Sequence, residues 1–138
     1  MPYNRKKPRP TVRRVDSLCM EEGVSKVVVI TGANNGIGLH MATALLAAGY
    51  RLAAIDLSGE NLEPLRTRYP EQLLFCLCDL TDEAQVQAAV QQVLATWARI
   101  DILVNNACLA VFRPFEERPV ADIPREFEVN YYGALRMI

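Results

Sequence analysis

The chain holds one histidine, one tryptophan and four cysteines in 138 residues. A single histidine, His40, leaves no four-ligand zinc set, so no metal site is expected. Cys76 and Cys78 stand two apart and would share one face of a strand, where they are badly placed to bond each other. With Cys19 and Cys108 they read as reduced thiols of a cytoplasmic protein. Long apolar runs are missing too. Val27-Val28-Val29-Ile30 is far too short to span a membrane, and what precedes it is not a secretory signal. Positive charge is scarce beyond residue 15: residues 16–138 carry nine basic and sixteen acidic groups. That balance argues against nucleic acid as a partner. What the chain does have is a hydrophobic content of 51%, enough for one packed domain.

Residues 1–25 are proline-rich, basic and then polar, and read as a flexible tail. Arg5-Lys6-Lys7-Pro8-Arg9 fits either a targeting signal or a solvated tail. Met20 offers an alternative start. Regular pattern begins at Lys26. A β-branched run over 27–31 reads as a buried parallel strand. A helix over 37–48 is stopped by Gly49. Strands follow over 51–56 and 73–78, separated by a short helix over 61–68 that closes before Pro70. Thr81 is placed to cap the next helix, on which Val86, Ala89, Val90, Val93, Leu94 and Trp97 form one stripe. A fourth strand over 101–105, a loop with Pro114 and Pro119, and a helix from about Ile123 complete the pattern. This β-α-β-α-β-α-β-α alternation predicts an α/β fold, a doubly wound parallel sheet with helices on both faces.

Three of the seven glycines fall in Thr31-Gly32-Ala33-Asn34-Asn35-Gly36-Ile37-Gly38, between the first strand and the first helix. A pyrophosphate needs backbone N–H groups and the positive end of a helix, and side chains would block its approach. Gly32 suits the tight turn, Gly36 the close approach, and Gly38 the packing of helix on strand. Asn34, Asn35 and Ile37 complete the candidate lining. Asp56 ends the second strand, 18 residues beyond Gly38, where a carboxylate accepts both ribose hydroxyls of an adenosine. It would repel a 2′-phosphate, and neither 33–35 nor 57–58, which includes Leu57, offers a lysine or arginine. NAD(H) is therefore preferred over NADP(H). A P-loop is excluded, because Gly38-Leu39-His40 lacks its Gly-Lys-Ser/Thr ending.

At these residues the chain resembles the short-chain dehydrogenase/reductase family, whose TGxxxGIG spacing matches glycines 32, 36 and 38. Cys78-Asp79-Leu80-Thr81 is similar to the family segment whose aspartate meets the adenine amino group, with the following backbone lining the pocket; that implies roles for Asp79 and Leu80. Asn105-Asn106-Ala107 resembles NNAG, which steadies the sheet and flanks the cofactor, implying roles for Asn105 and Ala107. Phe127-Glu128-Val129-Asn130-Tyr131-Tyr132-Gly133 resembles the helix bearing the tetrad asparagine, and implies that Asn130 is a catalytic proton-relay residue. Cys108 stands in place of the NNAG glycine and would crowd the loop if the backbone there needs φ > 0.

The resemblance implies a Rossmann domain over 26–138, incomplete after the fourth strand and following helix. It also implies hydride transfer between a nicotinamide and a small carbonyl or alcohol substrate, and a homo-oligomer formed through the last helix. The family's serine and Tyr-x-x-x-Lys lie downstream of the tetrad asparagine and are not found after Asn130. Tyr3-Asn4-Arg5-Lys6-Lys7 fits the spacing by chance, in the basic tail. A fragment or shortened form, inactive alone, is the expectation, with a non-catalytic dinucleotide-binding or interaction module as the alternative. The fourth strand would then be an edge, and Leu135, Met137 and Ile138 would lack partners. The loop bearing Phe112 and Phe115 is expected simply to pack.

Overall fold

The computed structural model describes residues 25–138; the expected tail lies outside these, except Ser25, whose hydroxyl donates to the Gly49 carbonyl. Four parallel strands form one sheet in the order β3-β2-β1-β4. They are β1 (Val27–Thr31), β2 (Arg51–Asp56), β3 (Leu73–Leu77) and β4 (Ile102–Val104). The β-branched run of β1 is buried along its whole length, as a strand covered on both faces must be. Its side chains alternate. Val27 and Val29 join Ile55, Cys76, Val86 and Val93 in one core, while Val28 and Ile30 join Ala42, Leu46, Leu52 and Leu62 in the other. Two cores on opposite faces of one parallel sheet make the fold doubly wound.

The first core is covered by α3 (Glu83–Trp97) and the second by α1 (Gly36–Ala47) and α2 (Glu63–Arg68), the latter preceded by a 3₁₀ turn over Glu60–Leu62. Helix α1 ends in a Schellman motif: Gly49 takes φ +87°, its N–H donates to Leu46 O, and the Tyr50 N–H reaches Leu45 O. At the other end of the chain, α4 (Asp122–Phe127) runs through a π-helical stretch, Glu128–Gly133, into α5 (Ala134–Arg136).

Several expectations need correction. Thr81 does not cap α3. Its N–H and hydroxyl both donate to Asp79 Oδ1, and the cap is Asp82, whose Oδ1 accepts from Ala84 and Gln85 N–H. Gln85's side chain and backbone N–H hold the Asp82 carboxyl below its ordinary value. Met137 has partners: it is 8% exposed in the first core, whereas Leu135 and Ile138 are exposed as expected. Phe112 does not pack; it is 95% exposed. Cys108 causes no strain, since among the described residues Ala98 alone of the non-glycines has a positive φ. Cys76 and Cys78 share the first core as free thiols, and burial followed by the neighbouring Cys78 pushes Cys76 up to about 11. Strand β4 lies at the sheet edge with Ile102 half-exposed.

Candidate active site

The loops at the carboxyl ends of the strands surround a cleft of about 860 Å³. Open parallel sheets bind ligands where neighbouring crossovers run to opposite faces, here between β1 and β4. Among the residues expected at the site, Gly32, Asn35, Gly36, Ile37, Asp56, Leu57, Asp79, Leu80 and Ala107 line this cleft. Asn34 and Gly38 are buried behind its wall, and Asn105 and Asn130 lie outside it.

The glycine loop is shaped by close contact on one side and open space on the other. A Cβ on Gly38 would stand 2.0 Å from Gly32 O, and one on Gly32 2.8 Å from the Ala107 Cα. On Gly36, at φ +51°, a Cβ would meet nothing within 4 Å. The N-cap of α1 is Asn35, in extended conformation, and no side chain caps the helix. The first turn therefore presents its amide edge to the cleft, the arrangement that receives an anion.

Asp56 sits at the tip of β2 beside this loop. Its Oδ2 accepts the Asn34 N–H at 2.9 Å and its Oδ1 the Leu57 N–H at 2.7 Å. A carboxylate has about four acceptor positions, so each oxygen keeps one for a ligand. Asp79 holds Thr81, as described, and its N–H donates to Gln85 Oε1.

The sequence marked Asn105-Asn106-Ala107 as a segment that steadies the sheet, but not Asn106 and Thr31 as the pair that brace the glycine loop from β4. Thr31 Oγ1 accepts the N–H groups of Asn106 and Ala107, both at 3.1 Å. Asn106 Nδ2 donates to Thr31 O and Gly32 O at 3.0 and 3.1 Å. The signal available was the second asparagine of Asn105-Asn106-Ala107, set against a glycine turn that leaves carbonyls to satisfy. Asn105 itself reaches only Ala134 O, at 3.5 Å. Pro124, Arg125 and Glu128 also line the cleft, and nothing local in the sequence marked them.

Asn130 lies in the π-helical stretch. Its Oδ1 accepts the Leu109 N–H at 2.7 Å and its Nδ2 donates to Leu109 O at 2.8 Å. The side chain thus fastens the loop after β4 to the helix. Glu126 does the same a turn earlier, accepting the Val111 N–H and pairing with Arg118, and these two hold its carboxyl below the ordinary range. Arg136 bonds Leu80 O and Glu128, docking the helix on the segment after β3. Among the described residues no cluster of three metal-ligating side chains occurs, and no helix is long and apolar enough to cross a membrane.

Residues 26–138 match the family model described as short chain dehydrogenase. The chain belongs to the short-chain dehydrogenase family. It is 39% identical over 115 residues to the D-threitol dehydrogenase of Mycolicibacterium smegmatis, covering 81% of this chain and 44% of that protein. Among solved structures it is similar to the Brucella melitensis 3-ketoacyl-(acyl-carrier-protein) reductase complexed with NADH, with a TM-score of 0.75 and 31% identity, covering 81% of this chain and 47% of that one. It is also similar to an NADPH-bound carbonyl reductase from chicken fatty liver, with a TM-score of 0.74 and 26% identity, covering 82% and 48%. This short-chain dehydrogenase chain therefore spans less than half the length of those relatives. Its sheet is the Rossmann type they share.

Proposed function

We propose that residues 26–138 bind a nicotinamide dinucleotide, NAD(H) in preference to NADP(H), within an oxidoreductase acting on a small carbonyl or alcohol substrate. The carrying observation is the Asp56 carboxylate at the tip of β2, in the wall of the cleft and beside the open α1 amide edge. The residues present suit the group. Gly36 opens onto free space where a side chain would intrude, and the cleft volume suits a nucleotide-sized ligand. When bound, the dinucleotide supplies the carbon that gives or takes hydride. The protein's part is orientation and charge: α1 amides for the diphosphate, Asp56 for the adenosine ribose, and the Asp79–Leu80 segment for the adenine. Family membership and the NADH- and NADPH-bound relatives support the cofactor class; the preference for NAD(H) rests on Asp56.

Asn130 stands outside the cleft and acts on it by setting the loop after β4. Its side chain is committed to Leu109. Within residues 26–138 no Tyr-x-x-x-Lys pair stands near the cleft, so this stretch supplies the cofactor half and not the acid–base half of the reaction. The exposed Phe127, Tyr131 and Leu135 support a homo-oligomeric whole protein, and free cysteines suit a reducing cytoplasm.

Fluorescence titration with NADH and NADPH tests the cofactor reading. Asp56→Asn weakens NADH binding by about tenfold, the scale of a hydrogen bond to a charged group. It leaves NADPH binding unchanged or tighter, because a repulsive charge is gone. Equal weakening of both nucleotides removes Asp56 from its role.

A further inference from the structure

The cleft wall beside Asp56 consists of two loops joined through one buried side chain. Asn34 is 2% exposed although it lies between β1 and α1. Its Nδ2 donates to Ser58 Oγ at 2.8 Å, and its Oδ1 accepts the Asn61 N–H at 2.9 Å. Its own backbone N–H is the one that bonds Asp56 Oδ2. A second tie runs from Asn61 Nδ2 to Asn35 Oδ1 at 2.7 Å. The loop after β2 packs close on β3, where a Cβ on Gly59 would stand 2.9 Å from the Phe75 ring. Neither loop carries a cation: 32–35 reads Gly-Ala-Asn-Asn and 57–61 reads Leu-Ser-Gly-Glu-Asn.

We infer that Asn34 is a specificity-determining positioning residue, whose buried amide clamps the loop after β2 onto the glycine loop. The inference rests on the dinucleotide reading above. With the clamp closed, the Asp56 carboxylate is held by two backbone N–H groups and presents its remaining acceptor positions to a ribose diol. A 2′-phosphate is larger and anionic, and it needs Asp56 to turn aside or the loop after β2 to move outward. Turning Asp56 aside breaks its bond from the Asn34 backbone N–H, and moving the loop outward breaks the Asn34 side-chain bonds to Ser58 and Asn61. The clamp therefore acts on the difference between two ligands and not on their common affinity. A loop held only for stability would affect both ligands alike.

The experiment titrates the 138-residue chain with NADH and with NADPH by nucleotide fluorescence, with thermal melts in the absence of nucleotide alongside. The proteins are wild type, Asn34→Ala, Ser58→Ala, Ser58→Thr and Asp56→Asn. Asn34→Ala is expected to narrow the preference for NADH about fivefold, the scale of one or two lost hydrogen bonds. Ser58→Ala narrows it in the same direction by less, and Ser58→Thr, which keeps the hydroxyl, retains it. An unchanged ratio in Asn34→Ala overturns the inference, whatever happens to the melting temperature. If Asn34→Ala does not fold, an unchanged ratio in Ser58→Ala has the same force. If Asp56→Asn narrows the ratio while both clamp variants leave it alone, only the clamp fails. Wild-type protein that binds neither nucleotide, or both equally, defeats the cofactor reading and the clamp with it.

Discussion

Gly36 and Gly38 stand two residues apart, yet a methyl group added to each meets different surroundings. At Gly38 the new carbon would lie 2.0 Å from a backbone oxygen and 2.7 Å from Asn106 Nδ2, so backbone must shift. At Gly36 there is room, and the cost is the positive φ alone, about 1–2 kcal/mol for an L-residue. Gly38→Ala should therefore unfold at markedly lower urea than wild type, with Gly36→Ala between them. Gly36→Ala should still lose most nucleotide binding while folded, because its methyl projects into the space left for the ligand. Urea melts and NADH titration on the same samples check both halves. A Gly36→Ala protein that binds NADH as wild type does would place the ligand elsewhere.

At the scale of elements, α3 shows how a start signal is decided by neighbours. Thr81 and Asp82 are both good caps, and Thr81 loses because Asp79 already holds its N–H and hydroxyl. Because the Asp82 carboxyl is held below its ordinary value of 3.8, it stabilises the fold fully above that value. That contribution disappears as pH falls through the lowered folded-state value. Asparagine caps a helix without titrating, so wild type should melt above Asp82→Asn at pH 7, with the gap narrowing as pH falls below 3.8 and through the lowered folded-state value. Thermal melts across that range give the test, and other carboxylates cancel in the difference. The strands, the glycine turn and α1 were legible in the sequence because each is written in adjacent residues: β-branched runs, a glycine cluster and a stop at Gly49. The brace from Asn106 was not, since its partners Thr31 and Gly32 lie about 75 positions away. Nor was the π-helical stretch, which no residue type announces and which positions Asn130 against Leu109.

At the scale of the sheet, the order β3-β2-β1-β4 leaves β4 bonded on one side only among the described residues. Ile102 is 40% exposed there, on a three-residue strand, and an uncovered edge is a template for a second chain. The 138-residue chain should self-associate as concentration rises. Ile102→Lys should reduce light scattering at equal concentration without lowering the melting temperature by more than a few degrees. Unchanged scattering would shift attention to the exposed Phe127, Tyr131 and Leu135 on the last helix. The same topology bears on how the chain is made. Strand β1 pairs early with β2, some twenty residues on, but its other side waits for β4, where Val28 finally meets Ile102. On the ribosome this strand, once joined by β2, therefore stays half-dressed while about forty-five further residues are synthesised, the interval in which a holdase chaperone has most to protect.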